Sequence, residues 1–189
     1  PGKQAAAAVG QCELMYTYDR LFTQYNHTVA QILLTGEDID HSDRRENFQN
    51  TIFRLLELGA LPIINENDSV SVDQIKIGDN DTLSALTANL WAADLLILMS
   101  DIDGVYDKDP NTYSDAVLIE HIGNVAEIRA SIDTKGKSSF GTGGIVTKLH
   151  AAEMVNEYGI SMILTNSRRP DILNRLAAGE EKATVFCSE

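Results

Sequence analysis

Cysteine is nearly absent from the chain, and its two cysteines, Cys12 and Cys187, stand far apart with no CxxC spacing. The four histidines, His27, His41, His121 and His150, are scattered without zinc-ligand spacing, so the pattern encodes no thiolate or imidazole metal site. Thiols left free suit a reducing cytoplasm, the compartment expected here. Long hydrophobic runs are missing too. The longest, Ala92 to Met99, is interrupted by Asp94, whereas roughly 20 apolar residues are needed to span a bilayer. No signal-peptide pattern opens the chain, and no membrane association is expected. Positive charge is scarce, with 15 Lys and Arg against 28 Asp and Glu and a net charge of -13. That balance argues against nucleic-acid binding as the main activity, because a phosphate backbone asks for a basic face. Any phosphorylated ligand therefore has to be met by local cations or a metal. Internal repeats and low-complexity tracts are absent.

What is present is an ordinary globular composition, 43% hydrophobic over 189 residues, enough for one domain with a sizeable core. The chain is organised around the stretch from Ile75 to Ala85, which includes Gly78-Asp79-Asn80-Asp81-Thr82. Ile75 and Ile77 alternate as in a half-buried strand, Gly78 and Asn80 mark a turn, and Leu83, Leu86 and Leu90 recur at helical spacing. Two carboxylates and an amide thus fall at a strand-to-helix junction, the place where open α/β sheets bind ligands. Read alone, Asp81 or Thr82 is equally a fitting helix N-cap.

Taken in order, residues 4–25 read as a helix with Val9, Leu14, Leu21, Phe22 and Tyr25 as its apolar positions. Gln31 to Thr35 reads as a buried strand. Asp43 to Leu58 reads as an amphipathic helix on Phe48, Ile52, Leu55 and Leu56, closed by Gly59. Strand Leu61 to Ile64 delivers the loop Asn65-Glu66-Asn67-Asp68. A helix over 82–92 precedes strand Leu95 to Met99, which delivers Ser100-Asp101-Ile102-Asp103-Gly104. The segment from Asp107 to Lys137 reads as a surface excursion with one short strand, Ala116 to Glu120. A helix opened by Gly141-Thr142-Gly143-Gly144 carries Ile145, Leu149, Ala152 and Val155. Strand Ile160 to Leu164, a short helix Asp171 to Ala177 and strand Ala183 to Phe186 follow. Alternating strands and helices at this spacing imply an α/β fold with a parallel sheet covered on both faces.

Three acidic loops at successive strand ends suit either Mg²⁺, held mostly through water and phosphate oxygens, or a polar substrate with an ammonium group. The glycines before the 145–155 helix let backbone N–H groups approach a phosphate at the positive end of a helix dipole. Lys148 in the first turn opposes that dipole unless an anion is bound there. The GxxxxGK[ST] spacing of a Walker A loop is absent. Asp101-Ile102-Asp103-Gly104 is not a calcium loop either, since Val105 stands where a third oxygen ligand belongs.

Four segments in order, Leu61 to Val70, Gly78 to Ala85, Leu96 to Tyr106 and Gly141 to Ala152, together resemble the glutamate-phosphorylating members of the amino acid kinase family. The resemblance runs from about Gln4 to Phe186. It implies a three-layer αβα sandwich around a mainly parallel sheet, and transfer of a phosphoryl group from ATP, with Mg²⁺, to the γ-carboxylate of L-glutamate, the first step of proline biosynthesis. By motif, Asp68 and Asn80 would hold the amino acid, with Asn65 and Asp79 in the same loops. Asp81 would organise the catalytic groups. Ser100 and Asp101 would contact ATP, and Thr142, Gly143, Gly144, Ile145, Val146, Thr147 and Lys148 would cradle its phosphates, with Lys148 facing the transferred group. No residue is implied as a metal ligand. The resemblance also implies a homo-oligomer, a dimer or a tetramer.

The family pattern includes a Lys-x-Gly-Ser strand at the ATP phosphates and a Ser-Gly-Ala motif near glutamate, and neither occurs here. Residues 1–189 are therefore expected to form an amino acid kinase domain without its N-terminal strands. Two other readings stay open: a sibling kinase acting on acetylglutamate, aspartate, carbamate or UMP, and a sensor that binds amino acid or nucleotide without turnover.

Overall fold

The computed structural model describes residues 2–70, 77–135 and 144–187. They fall into two compact units that divide at Leu83 and Ser84.

The first unit is built on two strands, β1 (Thr28–Leu34) and β2 (Ala60–Glu66), paired in parallel with Thr28 opposite Ala60 and Leu34 opposite Glu66. A parallel pair needs a helical crossover, supplied here by α2 (Gly36–Asp40) and α3 (Ser42–Glu57). Phe48 and Ile52 are buried on α3, one turn apart, where the periodicity places them. Gly59 takes a positive φ of 72° to end that helix, a conformation open to glycine at little cost. The leading helix α1 (Gly2–Thr23) packs on β1 but buries none of its residues. Of the apolar positions read in the 4–25 helix, Val9, Leu14, Leu21 and Tyr25 are exposed.

The second unit holds most of α4 (Asn80–Trp91). It continues with β3 (Leu95–Ser100), β4 (His121–Ile122), α5 (Val125–Lys135), α6 (Gly144–Asn156), β5 (Ser161–Asn166), α7 (Ile172–Ala178) and β6 (Thr184–Phe186). The sheet order is β3-β5-β6-β4. Strands β3 and β5 are parallel, as are β4 and β6, while β5 and β6 run antiparallel. The core joins Ala85 and Ala88 of α4, Leu98 of β3, Leu149, Ala152 and Val155 of α6, and Met162, Leu164 and Phe186 of the sheet. The α6 stripe read from the sequence is thus the stripe that is buried. Small residues at Ala85, Ala151 and Ala152, all fully buried, let the helix backbones come close to the strands.

Several sequence readings are corrected. Asn65 and Glu66 are the last residues of β2 rather than part of the loop beyond it. Asn80 and Asp81 lie in the first turn of α4, and the cap is Asp79: its Oδ1 accepts the Thr82 N–H at 2.8 Å and its Oδ2 accepts the Thr82 hydroxyl at 3.0 Å. The excursion after Asp107 has no strand over 116–120, only an isolated antiparallel bridge between Tyr106 and Leu118, and it contains both β4 and a full helix, α5. Asp171 caps α7 rather than beginning it. The strand expected at Ile75 lies outside the described residues.

Candidate functional site

In the first unit the parallel pairing brings the carboxyl ends of β1 and β2 to one edge. At that edge the Asn67 N–H donates to the Leu34 carbonyl at 2.7 Å, and Val70 N–H to the Asn67 carbonyl at 3.1 Å, which shapes the turn carrying half-buried Asp68. Glu66, only 8% exposed, accepts the Ile77 N–H on Oε1 at 3.1 Å and, more weakly, the Gly78 N–H on Oε2 at 3.5 Å. Gly78 takes φ 100°, and its neighbour Asp79 caps α4. The 67–70 and 77–81 segments are therefore gathered at the end of β2, with Asn80 exposed and Asp81 half-buried in the first helical turn. The Asn65 amide is engaged on both sides. Its Nδ2 donates to Gln11 Oε1 at 2.9 Å and its Oδ1 accepts the Glu66 N–H at 2.9 Å.

On the β1 side, Thr35 and Asp38 form a capping box for α2. The Asp38 Oδ2 accepts both the Thr35 N–H at 2.8 Å and its hydroxyl at 2.7 Å, while Arg44 Nη1 donates to Oδ1 at 2.8 Å. Burial pushes the Asp38 carboxyl up, but the Thr35 hydrogen bonds and the Arg44 charge outweigh it, and the net shift is below the usual value.

In the second unit, α6 begins at Gly144 and Lys148 is 8% exposed. The Lys148 Nζ lies 3.9 Å from where a β-carbon on Gly144 would stand, so the ammonium folds back over the first turn of the helix. Thr147 donates its hydroxyl to the Gly144 carbonyl at 2.9 Å. A cavity of about 250 Å³ is lined by Asp101, Asp103, Tyr106, Ile145, Asn166 and Arg168, among others. It brings together Asp101 and Ile145, two of the residues expected at the nucleotide. Ser100 donates its hydroxyl to Asp101 Oδ1 at 3.1 Å, and its carbonyl accepts the Ser167 N–H at 2.7 Å. Val146 is half-buried against the core. Thr142 and Gly143 lie outside the described residues.

The loop below the cavity is fixed by close packing. A β-carbon on Gly104 would come within 2.8 Å of Leu118 Cδ1 and closer still to Thr184 Oγ1, so only glycine fits there. The same Thr184 Oγ1 accepts the Val105 N–H at 2.8 Å and donates to the Ile119 carbonyl at 2.7 Å. Asp103 accepts from Asn166 Nδ2 at 2.8 Å and from the Tyr106 hydroxyl at 3.3 Å. Burial, and then the Asp103 charge and hydrogen bond, raise the Tyr106 pKa.

Two functional candidates were not singled out from the sequence. Asn166 is the last residue of β5, and the strand-end rule that flagged the other loops would have found it had the strand not been ended at Leu164. Glu66 stood in a flagged loop, but nothing in the sequence marked it as buried. Among the described residues, no three His, Cys, Asp or Glu side chains converge as a metal site, and no helix is long and apolar enough to cross a membrane. Cys12 and Cys187 are free and exposed.

The parallel strand pairs with helical crossovers place the chain in the mixed α/β class. The sequence matches the model of the amino acid kinase family over residues 2–166, and the chain belongs to that family. Among curated relatives, a protein named glutamate 5-kinase from Alkaliphilus metalliredigens is 55% identical over 97% of this chain and 70% of its own length. A second of that name, from Caldanaerobacter subterraneus, is 46% identical over 98% of this chain and 50% of its own length. The chain therefore spans about half to seven-tenths of the relatives it matches. Among solved structures, T. acidophilum isopentenyl phosphate kinase aligns with a TM-score of 0.62 at 18% identity, covering 94% of this chain and 66% of that one. UMP kinase from Ureaplasma parvum aligns with a TM-score of 0.54 at 18% identity, covering 74% and 52%. At such identities the likeness establishes the fold, that of the amino acid kinases.

Proposed function

We infer that this chain transfers the terminal phosphoryl group of ATP to the γ-carboxylate of L-glutamate, giving glutamyl 5-phosphate. The observation that carries the reading is the close match to relatives named for that reaction, which runs through the acidic edge and α6 alike.

Phosphoryl transfer asks little covalent chemistry of a protein and rests on positioning and charge stabilisation. The attacking group is already an anionic carboxylate, so no general base is needed, in keeping with histidines and cysteines that lie outside the candidate site. Asp68 and Asn80 meet the α-ammonium and α-carboxylate of glutamate. Asn65 and Asp79 complete that edge, the first through Gln11 and the second as the cap of α4. Asp81 organises the catalytic groups from the first turn of α4. Ser100 and Asp101 contact the nucleotide, and residues 142–148 cradle its phosphates. Lys148, with its ammonium over the start of α6, faces the group in flight and meets charge that develops in the transition state.

Mg²⁺ is carried by the nucleotide in this reading. It needs only one or two protein carboxylates besides phosphate oxygens and water, a kind of ligand the strand-end carboxylates have the chemistry to supply, and no residue is assigned to it. When bound, the ion neutralises charge between the phosphates. We further read the enzyme as a cytoplasmic homo-oligomer, a dimer or a tetramer, to be checked by light scattering.

The test is a coupled assay of ADP release with L-glutamate, acetylglutamate, aspartate, carbamate and UMP as acceptors. Turnover with L-glutamate well above the others is expected. Preference for another acceptor would assign the chain to a sibling kinase, and nucleotide binding without turnover would make it a sensor.

A further inference from the structure

Glu66 is an unusual residue with which to end a strand, because its carboxylate is buried at the last position of β2. Burying a carboxylate is costly unless donors surround it. Here the Ile77 and Gly78 N–H groups, which lie 11 and 12 residues further along the chain, point at its two oxygens. Asp79 follows directly and caps α4, so a continuous run of contacts leads from the end of β2 to the turn that presents Asn80 and Asp81. On the other side of Glu66, Asn67 is tied to the Leu34 carbonyl and begins the turn that presents Asp68. Glu66 thus stands between the turn that carries Asp68 and the segment that carries Asn80 and Asp81.

We propose that Glu66 is a positioning residue: by clamping the backbone of Ile77 and Gly78 to the end of β2, it sets Asn80 against Asp68 and so tunes affinity for the amino-acid substrate. The proposal rests on the reading that Asp68 and Asn80 hold that substrate. The chemistry requires a carboxylate of this length. A glutamine in its place keeps the volume but has a single acceptor oxygen, and its amide nitrogen would meet one backbone N–H head on. An aspartate keeps both acceptors but stops one methylene short.

The test compares E66Q, E66D and N80A in the intact enzyme by steady-state kinetics, with hydrogen exchange read at residues 77–79. Glu66→Gln is expected to raise KM for L-glutamate about tenfold, leave KM for MgATP within about twofold, and speed exchange of the Ile77 and Gly78 amides. Glu66→Asp is expected to move the same quantities in the same direction by about threefold, which keeps the comparison available should the glutamine variant fold poorly. If Asn80→Ala raises KM for glutamate while both Glu66 variants leave it unchanged, or raise both KM values equally, the proposal is overturned and the substrate assignment stands. If Asn80→Ala leaves glutamate KM unmoved, the substrate assignment falls and the proposal with it.

Discussion

The two units reach order by different means. The second is organised by packing: helices α4 and α6 bury alanines, Leu149 and Val155 against β3, β5 and β6, and Gly104 fits beneath Thr184 with no room for a β-carbon. Among the described residues, the first buries few apolar side chains, chiefly Leu34, Phe48, Ile52 and Leu83, and its longest helix buries none. Its strand-end edge is shaped instead by hydrogen bonds: the Glu66 clamp, the Asp79 cap, the Asn65 and Gln11 pair, and the Thr35, Asp38 and Arg44 network. A site held by packing is stiff but tolerates few changes of volume. A site held by polar contacts is adjustable and depends on each donor and acceptor being met. The nucleotide side of the proposed reaction falls in the first kind of environment and the amino-acid side in the second.

The largest effect should come from Lys148, the proposed catalytic cation. Replacing Lys148 with alanine is expected to lower kcat by roughly a hundredfold, on the order of 3 kcal/mol, with a much smaller rise in KM for ATP. A KM effect with kcat intact would make Lys148 a ground-state contact and remove the phosphoryl group from its neighbourhood.

The contrast sharpens with a change that touches packing alone. Gly104→Ala forces a β-carbon against Leu118 and Thr184 and is expected to cost about 1–3 kcal/mol of stability, seen as a lower Tm. An unchanged Tm would show that the second unit is less tightly packed than its geometry indicates.

A smaller effect is expected where the contacts are polar. Asp38 titrates below its usual value, so its contribution is complete above the ordinary 3.8 and fades as the pH falls through the lowered folded value. Asp38→Asn should therefore cost about 1 kcal/mol or less at neutral pH, and the difference from the parent should shrink in acid. Chemical denaturation of both proteins at neutral and acid pH checks the sign. A gap that widened in acid would contradict it.

Much of this molecule was legible in the sequence, for physical reasons. The α6 stripe and the Phe48 and Ile52 pair follow from the 3.6-residue period, and the apolar runs at Gln31 to Thr35 and Leu61 to Ile64 marked the strands whose full extents are Thr28–Leu34 and Ala60–Glu66. Helix α5 was missed although Asn124 and Glu127 form a reciprocal cap, with Glu127 N–H donating to Asn124 Oδ1 at 3.2 Å and Asn124 Nδ2 to Glu127 Oε1 at 3.0 Å. That signature is local, and it was hidden by the turn residues on either side. The burial of Glu66 was not legible at all. A charged residue at a strand end reads as exposed, and its backbone donors become neighbours only after the chain has left the strand and returned. Non-local contacts of this kind are what periodicity cannot supply.

The division of labour itself is tested most directly by calorimetry on an Asp68→Ala, Asn80→Ala double variant, titrated with MgADP and with L-glutamate. Substrate groups left without their amide and carboxylate partners cost about 1–3 kcal/mol each, so glutamate binding should weaken by at least about tenfold. The account predicts that MgADP affinity stays within about twofold of the parent. A parallel loss of nucleotide affinity, or glutamate binding left intact, would contradict it.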